Sequence, residues 1–90
     1  MVRMYARHEV DDYGSWREGY DAFHSGPAAE QGVKAHAVYR SVGNPNDITV
    51  THDFDSATEA EAFVNSDELR GAMEAAGVTG QPNIWITEEA

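Results

Sequence analysis

The side chains best suited to chemistry in this chain are its four histidines, His8, His24, His36 and His52, and no cysteine accompanies them. Imidazole titrates near neutrality, so proton transfer at physiological pH falls to these rings. The lack of cysteine excludes disulfides, thiolate metal ligands and thiol nucleophiles. His8 and His52 are the most telling of the four. In Val2, Met4, Ala6, His8, Val10 and again in Ile48, Val50, His52, Phe54, alternate residues are apolar except for the imidazole. A polar ring in such a row needs a hydrogen-bond partner that an aliphatic residue would not. The expected catalytic pair is therefore His8 as proton acceptor and His52 as its partner or orienter. The competing reading keeps both as core residues, satisfied by tyrosine, carboxylate or backbone.

A second set of residues could shape a pocket. Tyr13, Trp16, Tyr20 and Phe23 recur at spacings of three, four and three, which puts them on one stripe of a helix. With Met73 from a later helix they would wall a flat apolar site suited to a small aromatic or polyketide-like ligand. Ordinary core packing explains the same stripe and does not exclude the pocket.

Metal binding is a further reading. If Val42 pairs with Ile48, then His36, Arg40 and His52 share a face, and His8, His36 and His52 could gather round an ion. A slip of one residue would turn His36 to the other face. The spacing offers no HxH or HxxxH pair. His24, beside Ser25-Gly26, reads as a cap residue favoured at a helix C-terminus. Asp53 and Asp55, flanking Phe54, read as solvated charges, as does the Glu88-Glu89 tail. Gly77-Val78-Thr79-Gly80 follows a helix and lacks the lysine of a phosphate-binding loop. Serine triads are equally unsupported.

The elements that must position these residues follow from local pattern. Val2 to Val10 alternates as a strand, and Asp11-Asp12 supplies an N-cap for the aromatic helix, which ends at Ser25-Gly26-Pro27. Ala28 to Gly32 reads as a loop or helical turn. Val33 to Val42 and Ile48 to Phe54 are strands joined through Gly43-Asn44-Pro45-Asn46-Asp47, a hairpin signal. Ser56-Ala57-Thr58-Glu59 is a capping box, and Ser66-Asp67-Glu68 starts a second helical piece on which Leu69, Ala72, Met73 and Ala76 face inward. Gly77 suits a left-handed C-terminal cap. Asn83 to Thr87 closes the chain as a strand.

This order is an α+β, ferredoxin-like βαββαβ plan, with a four-stranded antiparallel sheet and helices on one face. Residues 1–90 are expected to form a single domain. The plan sets the first and third strands side by side. We expect them to run the same way, which would bring His8 and His52 to the same edge within a few ångströms. A chain this short buries only about 60% of its unfolded surface. Its helices can cover one face of the sheet, so a homodimer is expected to cover the face bearing Tyr5, Tyr39 and Trp85.

Sixteen acidic and six basic residues give a formal charge of −10. Such a surface repels nucleic acid and anionic membranes, and the basic residues are scattered. The acid-rich, lysine-poor composition is that of a salt-adapted (halophilic) surface, although an acidic mesophilic protein would share it. No apolar run reaches the roughly 20 residues of a membrane span, and Met1-Val2-Arg3 leads into a strand pattern, so a cytoplasmic location is expected.

Three stretches carry a resemblance: His8-Glu9-Val10-Asp11-Asp12-Tyr13 with Trp16; Val38-Tyr39-Arg40 before Asn44-Pro45-Asn46; and Ser66-Asp67-Glu68-Leu69-Arg70 with Ala72-Met73 and Ala76-Gly77-Val78. The chain resembles the dimeric α/β-barrel proteins, the group of antibiotic biosynthesis monooxygenases, polyketide cyclases and stress-responsive barrel proteins. More narrowly it is similar to short members labelled "cyclase". The resemblance implies two protomers pressing their sheets into a barrel, with a cavity between each sheet and its own helices. It implies a cofactor-independent small-molecule enzyme or ligand-handling protein, and it carries no particular reaction. The alternatives are a non-catalytic stress-related or structural dimer and a histidine-cluster metal-binding protein.

Overall fold

The computed structural model describes residues 1–26 and 31–90. Its elements are β1 (Val2–Val10), α1 (Tyr13–His24), β2 (Ala35–Ser41), β3 (Asn44–Phe54), α2 (Ala57–Val64), α3 (Asp67–Ala75) and β4 (Val78–Glu88). The strands form one sheet in the order β2-β3-β1-β4, with every neighbouring pair antiparallel. This is the ferredoxin-like plan, its second helix divided in two. Of the expected loop at Ala28 to Gly32, Ala28 to Glu30 lie outside the described residues.

The helix starts are where the sequence puts them. Asp12 accepts a hydrogen bond from the Ser15 amide at 2.9 Å, satisfying one of the unpaired N–H groups of the first turn. Ser56 Oγ accepts from the Glu59 amide at 3.2 Å and donates to the Glu59 carboxylate at 3.3 Å. Ser66 does the same work for α3 through the Leu69 amide at 3.2 Å. Because Asn65 caps α2 and Ser66 opens α3, the split needs no linker. Gly77 follows the end of α3 at φ +79°, a conformation strained for any other residue.

On β1 the alternation is complete: Val2, Met4, Ala6, His8 and Val10 are buried. They meet Phe54, His52, Val50 and Ile48 across the β1–β3 ladder and the buried side chains of Trp16, Tyr20, Phe23, Phe63 and Leu69 from the helices. Gly19 explains itself here. A Cβ at that position would stand 3.1 Å from the Ala76 Cβ, so the missing side chain lets α1 approach the end of α3.

Four sequence expectations need correction. First, β1 and β3 are antiparallel. The α1 crossover returns β2 in the direction of β1, and the hairpin then reverses β3. Second, the hairpin turns at Val42–Gly43, and Asn44 to Asp47 already belong to β3, with a register irregularity between Arg40 and Ser41. Third, β4 begins at Val78 rather than Asn83. Its pairing passes from Arg7↔Asn83 to Glu9↔Thr79, so Gly80, Gln81 and Pro82 stand opposite His8 alone, and Gly80 takes φ +71° at this bulge. Fourth, Asp53 is not a solvated charge. It is 7% exposed and receives both Nε and Nη2 of Arg3, at 2.7 and 3.1 Å. Asp55 is exposed, 3.5 Å from Lys34 Nζ.

No helix of the described residues covers the outer face of the sheet. Tyr5 stacks on Trp85 with centroids 5.2 Å apart and planes 6° from parallel, and Trp85 and Tyr39 remain 45% and 57% exposed. No described helix is long and apolar enough to cross a membrane.

Candidate functional site

Between the inner face of the sheet and the helices lies a small cavity of about 40 Å³, lined by Met4, Ala6 and His8 of β1, Trp16, Gly19, Tyr20, Phe23 and His24 of α1, Val50 and His52 of β3, and Leu69, Ala72, Met73 and Ala76 at α3. Of the expected pocket residues, Trp16, Tyr20, Phe23 and Met73 line it. Tyr13 does not. It packs on Trp16 at 5.9 Å between centroids and lies under the Arg40 guanidinium, 4.4 Å from its ring centre.

His8 and His52 both line the cavity, at separate places. Antiparallel pairing sets His8 opposite Ile48 and His52 opposite Met4. Four positions at the strand rise make roughly 13 Å between their backbones, too far for one imidazole to orient the other. His8 faces the aromatic stripe, its ring centroid 5.6 Å from that of Trp16. Burial pushes its pKa below the ordinary histidine value, so it is neutral at physiological pH. Its Nδ1 is buried and has no hydrogen-bond partner among the described residues.

His52 finds different company. His36 is its cross-strand partner on β2, so the expected sharing of a face by His36 and His52 holds, in a register two residues from the one assumed. His24 is the residue that the sequence reading missed. Instead of only capping α1, it reaches the sheet with its Nε2 3.0 Å from His52 Nε2. Its ring stacks on His36 at 4.2 Å between centroids and 13° between planes. Tyr20 joins the group through its hydroxyl, 2.8 Å from His36 Nδ1. The available signal was the helical spacing itself, since Tyr20 and His24 lie one turn apart and continue the buried stripe.

Burial and the neighbouring imidazoles hold His52 down at about 3, and burial with the His36 charge holds His24 at about 4. Burial pushes the Tyr20 hydroxyl up to about 12. His24, His52 and Tyr20 are thus uncharged at neutral pH, and between His24 and His52, whose ring centroids lie 4.8 Å apart, one Nε2–H donates to the other lone pair. His52 Nδ1, like that of His8, is buried without a hydrogen-bond partner among the described residues. Among the described residues, no three histidine, aspartate or glutamate side chains converge as ligands of a metal ion. The trio His8, His36 and His52 in particular is not brought together, because β3 runs opposite to β1.

No family model matches the chain, and no curated protein matches it in sequence. Solved structures do match it. A conserved protein of Methanosarcina mazei superposes with a TM-score of 0.79 at 15% identity, over 99% of this chain and 92% of that one. A Bordetella bronchiseptica protein provisionally named an antibiotic biosynthesis monooxygenase gives 0.81 at 14% identity, over 99% and 96%. One of the same provisional name from Caulobacter crescentus gives 0.78 at 15%, over 99% and 89%. The chain has the fold of the antibiotic biosynthesis monooxygenase-like ferredoxin-fold proteins, at identities that establish architecture and leave chemistry to the site itself.

Proposed function

We propose that the chain is a homodimeric small-molecule enzyme or ligand-handling protein that acts, without a cofactor, on an aromatic or polyketide-like compound held between sheet and helices. The observation that carries this reading is the cavity, whose wall is apolar and aromatic apart from neutral imidazoles. His8 is its proton acceptor, as burial keeps a lone pair free at physiological pH. Trp16, Tyr20 and Phe23 position the ligand. His52 acts at the other end of the cavity with His24, not as the orienter of His8. A volume of about 40 Å³ holds little more than a water molecule, so a ring-sized ligand enters by displacing Met73, a flexible side chain suited to that role.

The small volume also favours a second reading, in which the dimer is non-catalytic and the cavity is a packing defect. A melting-shift screen of hydroxylated aromatics separates the two. The ligand reading expects shifts in the wild type that are lost in folded His8→Leu and Trp16→Leu proteins. Equal shifts in all three proteins, or none in the wild type, would leave the structural dimer as the better account.

A further inference from the structure

We propose that His24 and His52 form a proton relay between the cavity and the solvent at the β2 edge of the sheet, serving a ligand that carries a weakly acidic O–H, a phenol or an enol. The proposal rests on the reading of the cavity as a ligand site and names what that site would do.

Its basis is the sequence of atoms from inside to outside. His52 is 2% exposed and lines the cavity. Its Nδ1 has no partner among the described residues, while its Nε2 meets His24 Nε2 at 3.0 Å. His24 is only half-buried and stacks on His36, which is exposed on the edge strand β2. No carboxylate hydrogen-bonds to either relay ring among the described residues. Asp21, on α1, is held by Arg17 at 2.9 Å, and Asp53 is turned to the outer face against Arg3.

Two neutral imidazoles in this contact must be in opposite tautomers at Nε2. With the proton on His52 Nε2, His52 Nδ1 is a bare lone pair and His24 carries its proton on Nδ1. A ligand O–H then gives its proton to His52 Nδ1, the O–H electron pair staying on the ligand oxygen. His52 Nε2 passes its proton to His24 Nε2, and His24 Nδ1 releases its own to water. One proton has moved from ligand to solvent, and both rings end neutral with their tautomers exchanged. A lone buried His52 would have to become a cation in a dry site, whereas the relay never requires one. The same path run backwards protonates a ligand oxygen.

The test is nitrogen-15 NMR of the histidine side chains, beginning with the ligand-free wild type. The relay expects one proton shared across the Nε2 pair, with His24 and His52 titrating as a coupled pair. Both rings in the Nδ1–H tautomer, or two independent titrations, would overturn it whatever the ligand. In His24→Gln, whose amide oxygen can still accept from His52 Nε2, exchange of the His52 imidazole proton with water should slow about a hundredfold, the lower end of what positioned proton transfer contributes. Unchanged exchange in a folded variant would also overturn it. Failure of the melting-shift screen would instead count against the ligand reading.

Discussion

His8 and His52 stand on one face of two paired strands, four positions apart, with His8 across from Ile48 and His52 across from Met4. They share a cavity without sharing a hydrogen bond, so each is governed by its own neighbours. Their effects on stability should add. Replacing His8 by Leu removes an orphaned polar atom from an apolar row and should leave stability unchanged or raise it by about 1 kcal/mol. The double variant with His52→Leu should equal the sum of the singles within about 0.5 kcal/mol, measured by urea unfolding. A larger coupling would mean that the two rings communicate through the packing.

Acidification should weaken the fold before the carboxylates titrate. The folded values of His52 and His24, about 3 and about 4, lie below the ordinary 6.5. The unfolded chain therefore binds protons first, and the stability gained from neutral rings is full above 6.5 and declines as pH falls, levelling below the folded values. For His52 alone the loss at pH 5 is about 2 kcal/mol. Thermal melts of the wild type between pH 7.5 and 5 should show this decline, and His52→Leu should show a shallower one. Parallel curves would remove the imidazole cluster as its cause.

The outer face predicts assembly. Tyr5 and Trp85 lie stacked there, and Tyr39 is exposed on the same face at the β2 edge, aromatic residues of the kind enriched at interfaces. Light scattering at micromolar concentration should give twice the protomer mass, and Trp85→Glu should shift it toward the protomer with a lower melting temperature. A wild-type protein of single-chain mass would refute the sheet-to-sheet dimer.

Salt should stabilise the protein. A charge of −10 on 90 residues is self-repelling, and ions screen that repulsion over about 10 Å at 0.1 M. The melting temperature should be several degrees higher in molar KCl than in dilute buffer. A flat or falling curve would show that the ion pairs lost to screening, such as Arg7 with Asp47 at 2.7 Å, outweigh the repulsion relieved.

Much of the architecture was legible locally. Caps at Asp12, Ser56 and Ser66, the alternation of β1 and the stripe from Trp16 to Phe23 each depend on residues within a turn or two. Strand direction does not, and the error there set His8 beside His52, which the antiparallel pairing holds four positions apart. The place of His24 depends on where the end of α1 lands on the sheet, which helix capping rules cannot say. Asp53 looked solvated because Arg3 lies 50 residues earlier. The extension of β4 through Pro82 was hidden because a bulge, opposite His8, makes room for residues that otherwise punctuate strands.

The Glu89 amide donates to the Met1 carbonyl at 3.2 Å, and Val2 pairs with Glu88, so the two chain ends emerge side by side. At the far end of the hairpin, Val42 is fully in solvent, Gly43 is exposed, and neither belongs to the buried core. Joining the ends through a short glycine linker and cutting between these two residues would give a circular permutant that begins just before β3 and keeps every strand pair and helix contact in place. The order in which this chain is threaded is thus separable from the sheet that it builds.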